Sequence, residues 1–432
     1  MAESKILTHV FIRIFSFGKI LHSHRRSIIH YGFQTFSQSR QSEQVETQSE
    51  DDATEAAKDE QNAKRKSRRT EAEILQFFKS VNLTNVIQQC PEKYFKRARQ
   101  SERLYLLDKA TAKKMCDLII NDIPNEIPVL EANPGLGVLT KELLEGGVPT
   151  IHLYEPDTKF RENFQSLQKE YLDRIKIQNI DYFSLWHPKN NSNNVDIIEK
   201  AISHIPCKKY KEEPSMVLIG IIPNICTMRL ILMSAILRNK IMSFGRTVFY
   251  IAVAPSIWWR MASDSSSSYH MYRSRSVMFQ ILFDYKVLGT ISRKVVVPWP
   301  SINIKTRVKE MQELAEIEDQ IMYIVKMEPK ANFYEDFKEQ NCLCLWYFLR
   351  HHLMARKNRI IPELEKWVPG CGPYLIAKGH DIFTEFGDLT PDKLLELYKT
   401  FVSWPESENT SFMLEMSDLK QGEEWATLYP KS

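Results

Sequence analysis

The sequence predicts an α/β fold: a doubly wound parallel sheet followed by a smaller helical C-terminal domain. Three observations support this. Short apolar runs, VLEA, TIHLYE, IKIQNID, MVLIGII and TVFYIAV, alternate with helical stretches. Nearly continuous apolar runs of this kind are typical of parallel strands covered by helices on both faces. A glycine turn, NPGLG, directly follows the first run, and from about Thr306 the apolar spacing turns helical through EMQELAEIEDQIMYIV, FKEQNCLCLWYFLRHHLMARKNRIIPELEKWV and PDKLLELYKTFV.

At 432 residues the chain is long enough for two or three domains, and 43% hydrophobic content makes it globular. A net charge of +4 and a pI near 8.5 are mild, so overall charge does not mark a nucleic-acid binder. Seven scattered cysteines argue against a secreted disulfide framework. Cys342 and Cys344 are too close together for a metal-binding pair, so they are read as buried thiols and no metal is expected.

In chain order, residues 1–36 carry Lys5, Arg13, Lys19, Arg25 and Arg26 against the single acid Glu3. On a helical wheel Ile6, Leu7, Val10, Phe11, Ile14 and Phe15 share one face, with Lys5, His9 and Arg13 opposite. A basic, acid-poor amphipathic helix suits a mitochondrial presequence, which places the protein in the matrix, at the nucleoid. A surface amphipathic helix is the alternative. Charges at Arg13 and Lys19 interrupt the apolar run, so no stable membrane span is expected. Residues 37–69, rich in Gln, Ser, Glu and Asp and closed by KRKSRR, read as a disordered tether.

Folded structure is expected from Thr70, with a first domain over 70–303 and a helical domain with a tail over 304–432. A helix over Lys109–Ile120 leads into the first strand. SDSSSS, Ser263 to Ser268, reads as a mobile loop, and Trp258 and Trp259 as core or groove wall. Ser276 to Pro300 reads as paired strands with a Pro-rich stop.

The candidate site gathers around the glycine turn. Gly135 and Gly137 let the backbone approach a ligand, but Thr140 stands where a dinucleotide loop wants its third glycine. Alone, this G-x-G is equally compatible with a structural turn. Glu155 ends the second strand, where a carboxylate can accept hydrogen bonds from both ribose hydroxyls. Asp181 ends the third, placed to accept a hydrogen bond from an adenine amino group. A nucleoside pocket without phosphates fits S-adenosylmethionine.

NPGLG, Glu155, Asp181 and the strand end Gly220-Ile221-Ile222-Pro223 resemble the KsgA/Erm-type rRNA adenine N6-dimethyltransferases. SVMFQ, VVPWP and ARKNR resemble features of the KsgA-like branch, while LEANPGLGVLT, YEPDTKF and YIVKMEPKANFY resemble the mitochondrial transcription factor B proteins, especially their type 2 members. The resemblance implies a Rossmann-like S-adenosylmethionine-dependent methyltransferase domain with cofactor contacts at Leu106, Gly135, Glu155 and Asp181. It implies nucleic-acid contacts at Arg356 and Lys357, which with Arg359 form a basic cluster able to meet phosphates. A favourable basic helix end is the other reading of that cluster.

The sequence departs from the family at the fourth strand. Family members have Asn-Leu-Pro followed by Tyr or Phe there. The Asn accepts hydrogens from the target amino group, and the aromatic ring stacks on the flipped base. Here Ile221 and Asn224 take those two places around the retained Gly220 and Pro223, and Leu104-Tyr105-Leu106 takes the place of an upstream Asn-Phe-Leu. No intact catalytic residue is expected. The type 2 resemblance implies a transcription initiation factor acting with mitochondrial RNA polymerase on melted promoter DNA. The alternative is an active small-subunit rRNA adenine N6,N6-dimethyltransferase with that rRNA as partner.

Overall fold

The computed structural model describes residues 70–414, except 125, 187–194, 269, 302–308 and 334–338. The expected presequence, the tether and the last eighteen residues of the tail lie outside the described residues.

Seven strands form the main sheet: β3 (Val129–Ala132), β4 (Ile151–Tyr154), β5 (Ile175–Gln178), β6 (Met216–Ile221), β7 (Thr247–Val253), β8 (Phe283–Ser292) and β11 (Ile321–Pro329). Their spatial order is β5-β4-β3-β6-β7-β11-β8. The first five are parallel, and β11 runs antiparallel to both its neighbours. Two-residue strands flank the sheet: β1 (Arg97–Ala98) pairs with β10 (Trp299–Pro300), and β2 (Tyr105–Leu106) with β9 (Val296–Val297).

The described helices of eight or more residues are α1 (70–80), α2 (Lys109–Ile119), α3 (Val138–Glu145), α4 (Thr158–Glu170), α5 (Val195–Ile202), α6 (Ile225–Leu237), α7 (Pro255–Ala262), α8 (Ser274–Leu282), α9 (Lys309–Glu318), α10 (Glu339–Met354) and α11 (Pro391–Ser403). Several start where the sequence supplies a cap. Asp108 accepts a hydrogen bond from the Thr111 N–H at 2.8 Å before α2, and Asp157 caps α4 through the Lys159 N–H at 3.1 Å.

Successive strand residues point to opposite faces, so β3, β4, β6 and β7 each feed two cores, while the edge strand β5 gives Ile175 and Ile177 to one. In β6, Met216 and Leu218 join one core, while Val217, Ile219 and Ile221 join the other. The core on the Leu218 face also takes in Phe348, Leu349, Tyr398 and Phe401 from α10 and α11. The C-terminal helices therefore share one apolar interior with the sheet. Cys342 and Cys344 are buried within it.

The structure corrects three expectations. Ser276–Leu282 is the body of α8, not a strand; the Ser276 hydroxyl accepts from the Arg273 N–H at 2.7 Å and Val277, Met278, Phe279, Ile281 and Leu282 are buried. The strand within that stretch, β8, pairs with β11. The run IMYIV, expected to continue a helix, is the start of β11, because the chain turns at Asp319–Gln320 and enters the gap between β7 and β8. The sheet thus continues past residue 303, and a boundary there would separate β11 from its two partners.

Candidate functional site

Strand order reverses between β3 and β6, which places a crevice outside their carboxyl ends. Gly220 lies in register with Ala132, bringing the end of β6 beside the loop that leaves β3. In that loop Gly135 adopts φ +61° and a Cβ there would stand 2.7 Å from Cδ1 of Tyr105. Glycine at 135 is therefore required both by backbone conformation and by the tyrosine ring packed on it.

Glu155 follows β4 and is fully buried. One carboxylate oxygen accepts from the Gly135 N–H at 3.0 Å, the other from the Asp157 N–H at 2.9 Å and the Tyr105 hydroxyl at 3.3 Å. Burial outweighs those donors and pushes its pKa up to about 7. Glu131 in β3 is raised to about 7 by burial as well, against a 2.7 Å hydrogen bond from the Thr140 hydroxyl. Tyr105 itself is buried against Tyr94 and Phe160, with ring centroids 4.7 Å away in each case.

Asp181 follows β5 and is 6% exposed. Its Oδ2 accepts from Arg103 Nε at 2.8 Å, and its Oδ1 accepts from the backbone N–H of Phe183 and Ser184 at 3.0 and 3.4 Å. Burial works against the Arg103 charge, but Asp181 holds its pKa above the ordinary value. Leu106 is buried in β2 opposite Val296.

The structure therefore brings Leu106, Gly135, Glu155 and Asp181 to one region and adds two residues to them. Tyr105 donates to the acid expected to take ribose, and Arg103 donates to the acid expected to take adenine. The two acceptor carboxylates fit the ribose and adenine of S-adenosylmethionine, the methyl donor of this fold, and in this structure Tyr105 and Arg103 donate to them. The signal for this was a tyrosine hydroxyl in place of a phenylalanine edge, with an arginine two residues before it.

At the end of β6 the situation differs. Ile221 is 7% exposed and packs in the core with Val217 and Ile219. Asn224 caps α6: its Oδ1 accepts from the Thr227 N–H at 3.0 Å, and its Nδ2 donates to the Ser101 carbonyl at 2.8 Å. Both ends of the Asn224 amide are committed to structure, and Ile221 has no polar atom to offer. Pro223 and Asn224 line a cleft of about 170 Å³ together with Leu104 and Ile225.

The basic cluster needs correction. The helix expected to carry it ends at Met354, so Ala355 to Arg359 lie in the following turn. Arg356 donates to the carbonyls of Ser265, Ser267 and Ser268 at 2.8, 3.1 and 3.2 Å. It braces the serine loop that read as mobile, and Asp264 organises the same loop by accepting from the Ser266 and Ser267 N–H groups at 3.0 and 3.1 Å. Arg356 is thus committed inward. Lys357 is exposed, and Arg359, also exposed, lies over the Phe383 ring at 5.0 Å. Trp258 is buried and Trp259 partly so, as expected of core and wall.

A mostly parallel sheet with this order reversal, a glycine loop after its first strand and acids after the next two define the fold of the S-adenosylmethionine-dependent methyltransferases. The chain matches the ribosomal RNA adenine dimethylase family over residues 95–371 and belongs to that family. It is 28% identical over 330 residues to the mitochondrial dimethyladenosine transferase 2 of Drosophila melanogaster, covering 67% of this chain and 73% of that one. The human protein of the same name is 23% identical, covering 71% and 78%, and human mitochondrial dimethyladenosine transferase 1 is 26% identical, covering 48% and 57%. Among solved structures, a dimethyladenosine transferase from Plasmodium falciparum aligns with a TM-score of 0.46 at 15% identity, covering 69% of this chain and 98% of that one.

Proposed function

We propose that this protein is a mitochondrial transcription initiation factor on an rRNA adenine dimethyltransferase scaffold. In this reading it acts in the matrix, at the nucleoid, joins the mitochondrial RNA polymerase at a promoter and holds melted DNA. The observation that carries the reading is the end of β6, where Ile221 is a core residue and Asn224 is a helix cap. A scaffold without the groups that hold a flipped adenine keeps the groove and loses the step. Losing one positioned transition-state interaction costs on the order of a hundredfold or more in rate. The inward commitment of Glu155 and Asp181 supports the same reading, since Arg103 and Tyr105 already donate to the acids a cofactor would use. Among the described residues no helix is long and apolar enough to cross a membrane.

The rival is an active small-subunit rRNA adenine N6,N6-dimethyltransferase, favoured by the family match. Two assays separate them. Reconstituted initiation on a mitochondrial promoter with the cognate polymerase should require this protein; initiation that is unchanged on its omission defeats the proposal. Transfer of labelled methyl from S-adenosylmethionine to the rRNA hairpin should be at background, and transfer abolished by Asp181→Ala would establish the rival.

A further inference from the structure

Most arginines around this site are committed to partners. Arg97 and Arg103 pair with carboxylates, Arg246 pairs with Glu328, and Arg293 and Arg356 donate to backbone carbonyls. Four others differ. Among the described residues, no hydrogen bond or ion pair holds Arg99, Arg229, Arg260 or Arg275.

These four converge on the mouth of β6. Arg99 and Arg260 line the same cleft as Asn224 and Ile225. Arg229 lies one turn into α6, and Arg275 is the second residue of α8. Helix α8 packs on both α6 and α7, and the charges of Arg229 and Arg260 both reach Arg275. Arg275 Nη1 is sealed from solvent and has no hydrogen-bond partner. Burial and the charges of Arg229, Arg260 and Arg273 push the Arg275 guanidinium down to about 10. The one carboxylate lining the cleft, Glu318, has both oxygens occupied, by the Ser256 N–H at 2.7 Å and the Ser256 hydroxyl at 2.6 Å.

Gathering like charges raises the free energy of the folded chain, and a buried N–H without an acceptor raises it further. An anion placed among them removes both costs. The guanidinium fork matches a phosphate in geometry, and several forks along one cleft match successive phosphates of a strand. We propose that Arg99, Arg229, Arg260 and Arg275 form a phosphodiester-binding site for single-stranded DNA at the mouth of β6. The site deepens the transcription reading and rests on it: the place where the family holds one flipped base becomes a grip on the backbone of a separated strand. It also replaces the expected Arg356 as the phosphate contact.

The test measures binding of a fluorescent single-stranded DNA, and of RNA of the same sequence, across a salt series. The proteins are the wild type, Arg229→Gln/Arg260→Gln, Arg99→Gln and, as a control elsewhere, Lys169→Gln at the exposed end of α4. Each single-strand phosphate contact contributes about 0.7 to the slope of log affinity against log salt. The double variant should therefore lose about 1.4 from that slope and bind DNA roughly 25-fold more weakly at 0.1 M salt. Arg99→Gln should lose about half as much from the slope, and Lys169→Gln nothing. The thermal midpoint of the double variant should equal or exceed that of the wild type, because repulsion is relieved. Wild-type binding with unchanged affinity and slope in the double variant overturns the site and leaves the transcription reading standing. A wild type that binds no single-stranded DNA, or binds only RNA, overturns both.

Discussion

The two halves of the crevice have diverged in opposite ways. On the cofactor side, Gly135, Glu155 and Asp181 are all present, and the chain's own Tyr105 and Arg103 engage the two acids. On the base side the backbone course past Gly220 and Pro223 persists, while Ile221 and Asn224 have become a core residue and a helix cap. One half retains its residues and has its acceptors filled from within; the other retains its shape and has lost its chemistry. Survival of a motif residue is therefore weak evidence for its original task when the fold has given it a second one.

The sharpest way to break this comparison is Glu155→Ala. If Glu155 is structural, its removal leaves the Gly135 and Asp157 N–H groups and the Tyr105 hydroxyl buried without an acceptor, at about 1–3 kcal/mol each before relaxation. A loss of roughly 3 kcal/mol in urea unfolding is expected; an unchanged midpoint would return Glu155 to a purely ligand-binding role.

Glu131 gives the next largest effect. Its folded pKa of about 7 lies above the 4.5 of the free carboxyl, so the folded state holds the proton more tightly. Its stabilising contribution is complete below about pH 4.5 and is lost as pH rises through 7. At about 1.4 kcal/mol per pH unit, Glu131→Gln should gain roughly 2 kcal/mol on the wild type between pH 5 and pH 8. Denaturant titrations of both proteins at the two pH values would show it, and parallel pH profiles would contradict it.

Opening the cofactor side should come third. Arg103→Ala/Tyr105→Phe removes both internal donors and should tighten S-adenosylmethionine binding at least tenfold by calorimetry, about 1.4 kcal/mol. Equal affinities would mean that these contacts do not compete with the cofactor. On the base side, Asn224→Ala removes the cap of α6 and the tie to Ser101 and should cost about 1 kcal/mol of stability. A neutral result there would release Asn224 for a role in binding.

Much of the fold is legible locally. The inner parallel strands stand out because runs apolar on both faces have few other uses, the edge strand β5 shows instead as the alternation IKIQ, and Asp108 and Asp157 announce α2 and α4 by cap chemistry alone. The region from Ser276 to Pro329 is harder to read. SVMFQILFDYKVL is apolar without interruption, so nothing local marks the change from α8 to β8 at Phe283. EMQELAEIEDQIMYIV keeps a helical rhythm across Asp319–Gln320, and β11 exists because β7 and β8 leave a gap that its backbone donors and acceptors fill. The candidate site divides in the same way. Its cofactor-side residues were readable from their spacing, whereas the commitment of Arg356 depends on carbonyls about ninety positions away.

The sequence by itself determined the class of the protein and the absence of a base-holding pair, because a hydrocarbon at Ile221 cannot accept a hydrogen bond in any fold. Only the tertiary structure decided which polar groups remain available. Hydrogen-bond capacity is finite and is used by whatever lies nearest, so Glu155, Asp181, Asn224 and Arg356 are occupied by neighbours distant in the chain. The same proximity leaves Arg99, Arg229, Arg260 and Arg275 together, with no partner among the described residues.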